Sequence, residues 1–270
     1  MPYNVEMMVE IDSAAVQPQA FTADELARFE RDGFLIVRGL AGETQRQRML
    51  EVTLDGLARL VEPIEFEADL HYPGAPDSRT AAGGHTVRRL KQALSRDYSF
   101  VEWITHPALV ARLVQLLGPA YFCPLAHHNC IMAKQPAFSS DTGWHQDIRY
   151  WSFDRPDLVS TWLALGDERE ENGCLRVIPG SHRLELDRGR FDAALFFRDD
   201  LEANRELIDR AIPVLLAPGD LLLFHCRLIH AAGANRTADV KLSLVFTSHA
   251  ADNRPIAGTR SANYPSLSIA

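Results

Sequence analysis

His145-Gln146-Asp147, followed far downstream by His230, supplies two imidazoles and a carboxylate. These are the residue types of the 2-His-1-carboxylate set around non-haem Fe(II). Such a set covers one face of an octahedron and leaves the other open for a co-substrate and O2, so convergence of the three would give oxygen activation. A lone His-x-Asp triplet is a weak signal in a chain with 10 His. Two features strengthen it. Residues i and i+2 of a strand point to the same side, which would aim His145 and Asp147 at one ion. Trp144, Tyr150, Trp151 and Phe153 would give the site apolar walls. His225, His230 and His249 compete for the third position, and an extended run would turn His225 and His230 to opposite faces. The competing reading is a loop in which His145 caps a turn and Asp147 accepts backbone hydrogen bonds.

The elements around these residues change character along the chain. Thr22-Ala23-Asp24-Glu25 is a capping-box pattern that opens a helix running to Gly33. Residues 34–37 read as a strand, 42–60 as a second helix, and 63–86 as a long Pro/Gly-rich loop. Helical spacing returns over 96–117, with Pro107 opening a second segment and Gly118-Pro119 ending it. Short β-prone runs follow at 121–133, 158–165, 174–178, 212–216, 221–224 and 242–247, punctuated by Asn172-Gly173, Pro179-Gly180 and Pro218-Gly219. The pattern predicts a jelly-roll or β-sandwich core. The whole of 1–270 reads as one domain: 1–118 as mostly helical support and 119–249 as the β core. Residues 182–211 form a lid-like insert with a helix near 201–210, and 250–270 read as a loose tail.

Composition narrows the function. A formal net charge of −8 argues against nucleic-acid binding through a general positive surface. No apolar run reaches the roughly 18 residues of a membrane-spanning helix. Met1–Asp12 lacks the basic-then-apolar pattern of a signal peptide, so the cytoplasm is the expected location. Cys123, Cys130, Cys174 and Cys226 contain no CxxC pair and read as buried thiols.

Trp144-His145-Gln146-Asp147 through Tyr150-Trp151, then Glu171-Asn172-Gly173-Cys174-Leu175 through Pro179-Gly180-Ser181-His182, resembles the phytanoyl-CoA dioxygenase family. Pro218-Gly219-Asp220, Phe224-His225, His230 and Asn235-Arg236 continue the likeness, which covers residues 20–250. The resemblance implies a double-stranded β-helix of the cupin-like type, mainly β and supported by N-terminal helices. It implies His145, Asp147 and His230 as ligands of Fe(II), with 2-oxoglutarate as co-substrate. The implied reaction takes O2 and a small-molecule substrate, hydroxylates an unactivated C–H and releases succinate and CO2. Retention of Asp147, which halogenating relatives replace with a small residue, implies hydroxylation rather than halogenation.

The family usually places an Arg eleven residues after the distal His to hold the far carboxylate of 2-oxoglutarate. Here that position is Lys241, followed two residues later by Ser243. Lys keeps the charge but loses the bidentate fork. Arg236 is the fallback anchor, and an exposed strand-edge charge is the bland reading of Lys241. Ala232 stands where the family often has Ser. Trp162 is expected to pack on the co-substrate, Cys130 to line the pocket, and Arg89 or Lys91 to match a basic residue near it. His127, Asn129, Arg149, Tyr150 and Trp151, with the segment 188–198 as a lid, are substrate-pocket candidates, whereas His182 is expected to bond a turn. Two rival readings remain: a non-catalytic β-barrel that binds metal or ligand, and a cupin-type enzyme without 2-oxoglutarate.

Overall fold

The computed structural model describes residues 20–270; Met1–Asp12 lies outside the described residues. Helix α1 (Ala23–Asp32) begins on the expected capping box, with Thr22 and Glu25 bonding each other's backbone N–H, and Gly33 closes it at φ 83°. Strand β1 (Phe34–Val37) and helix α2 (Glu43–Ala58) follow. Strand β2 (Ile64–Phe66) corrects the reading of 63–86 as loop at its start, and β3 (Val87–Lys91) follows directly after it. Ile64 and Phe66 are buried, so the polar stretch is anchored at both ends by strands. The expected 96–117 helix divides into α3 (Tyr98–Ile104) and α4 (Pro107–Leu117), with Pro107 in the first turn, where its missing N–H costs nothing.

Beyond Pro119 come β4 (Tyr121–Pro124), β5 (Asn129–Lys134) and β6 (Thr142–His145). Then follow β7 (Leu158–Ala164), β8 (Leu175–Val177), the short helix α5 (Glu202–Ile208) and β9 (Ile212–Pro213). The chain ends with β10 (Leu221–His225), β11 (His230–Ala232), β12 (Lys241–Ala250) and β13 (Ser266–Ser268). The run 121–133 is thus two strands, and the tail after Ala250 is not loose, because β13 pairs with β4.

All pairing is antiparallel. A large sheet runs β1-β10-β7-β12-β5-β3-β2, with β4 on β12 and β13 on β4; a small sheet runs β6-β11-β8-β9. The 1–118 region is therefore more than helical support, since it contributes three strands to the large sheet.

Side-chain alternation assigns the two faces of the large sheet. Leu242, Leu244 and Phe246 of β12, with Leu221 and Leu223 of β10, pack into a cluster with Met49 of α2, Trp103 of α3 and Leu113 of α4. Leu222, Phe224, Trp162 and Val245 turn the other way and meet Leu175, Val177 and Ala232 of the small sheet. The inner layer closes the double-stranded β-helix, and the outer layer fixes the helices to it. Each fully buried Leu or Phe in these layers contributes about 1.5–3 kcal/mol. Lys241, Ser243 and Thr247 are forced inward by the same alternation, because Leu242, Leu244 and Phe246 claim the helical side.

Gly173 joins the two sheets' loops at φ +77°, where a Cβ would collide with the Gly233 carbonyl oxygen. Gly173→Ala is expected to cost roughly 2–4 kcal/mol in urea unfolding through left-handed strain and overpacking. Gly189→Ala, with nothing within 4 Å of the added methyl, is expected to stay within about 0.5 kcal/mol of wild type.

Candidate active site

His145 closes β6 and His230 opens β11, and the two are direct partners across that strand pair. Their ring centroids stand 4.2 Å apart. Asp147 lies on a 3-10 turn, 147–150, rather than on the strand, so the same-side strand argument is replaced by a turn. That turn still brings Asp147 Oδ1 to 3.8 Å from His145 Nε2 and 3.6 Å from His230 Nε2. One ligand atom from each residue lies within 4.8 Å of the others, and all three residues are buried.

The imidazoles are oriented for a metal. His145 Nδ1 lies 2.8 Å from the Gly143 carbonyl and His230 Nδ1 lies 2.9 Å from the Leu228 carbonyl. A carbonyl only accepts, so each Nδ1 carries the proton and each Nε2 turns its lone pair inward. Burial, then His230 and the Arg149 cation, holds His145 well below the usual histidine range, which keeps it neutral. Neutral imidazole plus carboxylate is the protonation state that a divalent cation requires. The donor set therefore fits iron. Ser160 donates to Asp147 Oδ2 at 3.1 Å, and His128 Nδ1 stands 3.6 Å from the same oxygen.

Deeper in the barrel, three residues expected at the co-substrate converge on one carboxylate that sequence reasoning missed. Glu168 Oε1 accepts from Ser243 Oγ at 2.6 Å and from Trp162 Nε1 at 2.8 Å. Its Oε2 pairs with Lys241 Nζ at 3.2 Å, and Lys241 also bonds Ser243 Oγ at 3.2 Å and lies 5.0 Å over the Trp162 ring. Lys241 is 3% exposed, so it is not the strand-edge charge of the bland reading. Its partner across the β12–β5 ladder is Lys134, whose Nζ bonds the Ser140 carbonyl at 2.8 Å and no other acceptor among the described residues. Burial, then Arg88 and Lys241, pulls Lys134 down to about 7.

A cavity of about 950 Å³ joins the His-Asp-His cluster to these lysines and is lined by Lys241, Lys134, Trp162 and Cys130. Burial pushes the Cys130 thiol up to about 11, so it lines the wall as a neutral group. Ser243 is fully buried behind Lys241 and reaches the cavity only through it. Arg89 lines the cavity from β3 and pairs with Glu65 at 3.3 Å; Lys91 is exposed at its rim. His127, Asn129, Arg149, Tyr150, Trp151 and Ala232 also face it. Arg236 is exposed and not part of the cavity wall, which removes it as an anchor. His225 Nδ1 accepts from the Arg227 N–H, and His182 Nε2 bonds the Glu30 carbonyl, so both are structural. His249, the other rival, stacks on Phe122 and bonds Ser266. The insert reaches the cluster through Phe196, whose ring lies 6.0 Å from that of His145.

Glu168 sits in Asp167-Glu168-Arg169-Glu170-Glu171, which reads as a surface charge run; Lys134 ends a strand before a polar loop. Neither carries a sequence sign that it turns inward.

The fold and its donor set define a class: the non-haem iron oxygenases that use 2-oxoglutarate on a cupin-like barrel. The chain belongs to the phytanoyl-CoA dioxygenase family, whose model matches residues 29–243. It is 29% identical over 251 residues to ectoine dioxygenase from Halomonas elongata, covering 86% of this chain and 71% of that one. It is 25% identical over 247 residues to the human peroxisomal phytanoyl-CoA dioxygenase, covering 84% and 70%. Among solved structures, EctD from S. alaskensis with 2-oxoglutarate and 5-hydroxyectoine superposes with TM-score 0.72 at 21% identity, covering 87% of this chain and 78% of that one. The epimerase SnoN, solved with Fe3+, alpha-ketoglutarate and nogalamycin RO, gives 0.68 at 22%, covering 86% and 84%.

Removing one partner of a buried ion pair leaves an uncompensated charge, which costs about 3–5 kcal/mol. Glu168→Gln is expected to lose that much in chemical denaturation, and Glu168→Gln combined with Lys241→Met is expected to recover part of it. A double-mutant cycle with no coupling would contradict the pairing.

Proposed function

We propose that this protein hydroxylates an unactivated C–H of a small-molecule metabolite and oxidises 2-oxoglutarate to succinate and CO2 in the same cycle. One oxygen atom of O2 ends in the succinate carboxylate and the other in the new hydroxyl, so the atoms balance. The observation that carries this reading is the pair of inward Nε2 lone pairs of His145 and His230 closed by Asp147 Oδ1. His145, Asp147 and His230 would hold the iron, which when bound supplies O2 activation. Asp147 leaves no vacancy for a halide at its position, which favours hydroxylation over halogenation.

Lys241 and Lys134 would receive the distal carboxylate of 2-oxoglutarate. Glu168 balances one of the two charges and holds Lys241 against Ser243 and the Trp162 face, so the second charge is left for the ligand. A lysine presents this charge as a point, without the guanidinium fork. The cavity walls near the cluster are Phe224, Trp151 and Ala232, which keep water from the reacting C–H.

Two tests follow. Protein given Fe(II), 2-oxoglutarate and 18O2 is expected to form succinate carrying one 18O atom, and His230→Ala to form none. Absence of labelled succinate from wild type, or its persistence in His230→Ala, overturns the proposal and favours the non-catalytic binder. The second test is pH. Lys134 is charged below about 7 and neutral above it, and an anion binds the charged form. The affinity for 2-oxoglutarate is therefore expected to fall as pH rises from 6.5 to 8.5, by up to about tenfold per unit. Lys134→Arg is expected to flatten this slope; an unchanged slope would remove Lys134 from the co-substrate site.

A further inference from the structure

The cations in the cavity wall are unequal in how they are compensated. Arg88 is matched by Glu67 at 3.1 Å, Arg89 by Glu65 at 3.3 Å and Lys241 by Glu168 at 3.2 Å. Arg149 has no carboxylate within 4.0 Å among the described residues, and its buried Nε and Nη1 bond to no acceptor. Instead its Cζ lies 4.0 Å from the Phe196 ring centroid and 4.5 Å from that of Tyr150. The two rings fix the plane of the guanidinium at the cavity wall, and Phe196 is the same ring that stands against His145.

Ring faces return only about 0.5–2 kcal/mol each to a buried cation. Taking a guanidinium out of water costs several kcal/mol unless an anion answers it. A half-buried Arg fork held between two rings, with its Nε and Nη1 buried and unanswered, is organised for a planar or tetrahedral anion that arrives from outside. We propose that Arg149 receives an anionic group, a carboxylate or a phosphate, of the substrate that is hydroxylated. The inference rests on the oxygenase reading above.

Three further observations select the substrate class. The co-substrate's distal carboxylate has its own cations, Lys241 and Lys134, on β12 and β5 of the large sheet, whereas Arg149 lies on the turn that follows β6 of the small sheet. The carboxylates of the lining are Glu65 and Asp147; one is paired with Arg89 and the other belongs to the His-Asp-His cluster, so neither is free to receive an ammonium group. The rest of the outer wall includes Leu94, Val101, Leu125, Trp151 and Leu267. A five-carbon co-substrate leaves much of the 950 Å³ empty. The substrate class is therefore an organic acid or phosphate ester with an apolar body, anchored by its charge beside His145 so that a nearby C–H faces the metal cluster.

The test uses Fe(II)- and 2-oxoglutarate-loaded protein under anaerobic conditions, titrated calorimetrically with four matched probes. These are 3-phenylpropionate, 3-phenylpropyl phosphate, 3-phenylpropanol and 3-phenylpropylamine. One or both anions are expected to bind at least tenfold more tightly than the alcohol and the amine, and the better anion tells which group the site takes. Arg149→Gln is expected to erase that preference while the affinity for 2-oxoglutarate stays within threefold of wild type. Arg149→Lys, which keeps the charge, is expected to retain part of it. Wild type that binds neither anion, or prefers neither to the alcohol, overturns the inference, as does a preference that survives Arg149→Gln. Equal loss of 2-oxoglutarate and probe in Arg149→Gln would assign Arg149 to the co-substrate and also overturn it. Failure of wild type to bind 2-oxoglutarate at all is a different result, which removes the oxygenase reading itself.

Discussion

The cross-strand pair His145–His230 carries the site. In an antiparallel ladder, residues directly opposite hold their Cβ atoms about 4.5–5.5 Å apart, and here the pairing brings the rings to 4.2 Å. Backbone carbonyls two residues before each histidine take the Nδ1 protons, so both lone pairs face Asp147. Two imidazoles presenting Nε2 and a carboxylate in that geometry form a donor set suited to a divalent cation. A one-residue slip of β6 on β11 would turn one ring to the other face and dissolve the set.

The small sheet keeps that register because the large sheet gives it a partner surface. Strands β7, β10 and β12 are buried on both faces, against helices outside and the small sheet inside. Such strands read as nearly continuous apolar runs, and polar residues within them are exceptions with a reason. Ser160, Lys241 and Ser243 are such exceptions, and each bonds a buried carboxylate, Asp147 or Glu168. Buried Lys241 is thus answered by Glu168, whereas buried Lys134 and half-buried Arg149, both in the cavity wall, have no carboxylate within 4.0 Å among the described residues.

Much of this was legible in the sequence because it is local. The Thr22–Glu25 cap, the Pro107 helix start and the strands near 158–165, 174–178 and 221–224 follow from short patterns and match the structure closely, whereas β11 and β13 carry no such pattern. The His-x-Asp…His set and its family motifs pointed to three residues that the fold brings together, although the strand geometry assumed for Asp147 gives way to a 3-10 turn. What was not legible depends on long-range placement. β2 and β3 flank a Pro/Gly-rich stretch and are hard to read because β2 pairs only with β3, and β3 in turn pairs with β5, about forty residues on. Glu168 lies in a charge run, and nothing local distinguishes a carboxylate that turns inward to meet Lys241 from one left in water. The lack of a partner for Arg149 likewise exists only once the whole cavity is assembled.

An iron held by His145, Asp147 and His230 would bind 2-oxoglutarate directly. Anaerobic titration of the Fe(II)-loaded protein with 2-oxoglutarate tests it most directly, through the weak visible charge-transfer band of the chelate. A band that saturates at one equivalent per chain and is lost in His230→Ala is expected. Iron-loaded wild type that binds 2-oxoglutarate without the band, or shows no response to it, would rule out direct chelation at His145, Asp147 and His230.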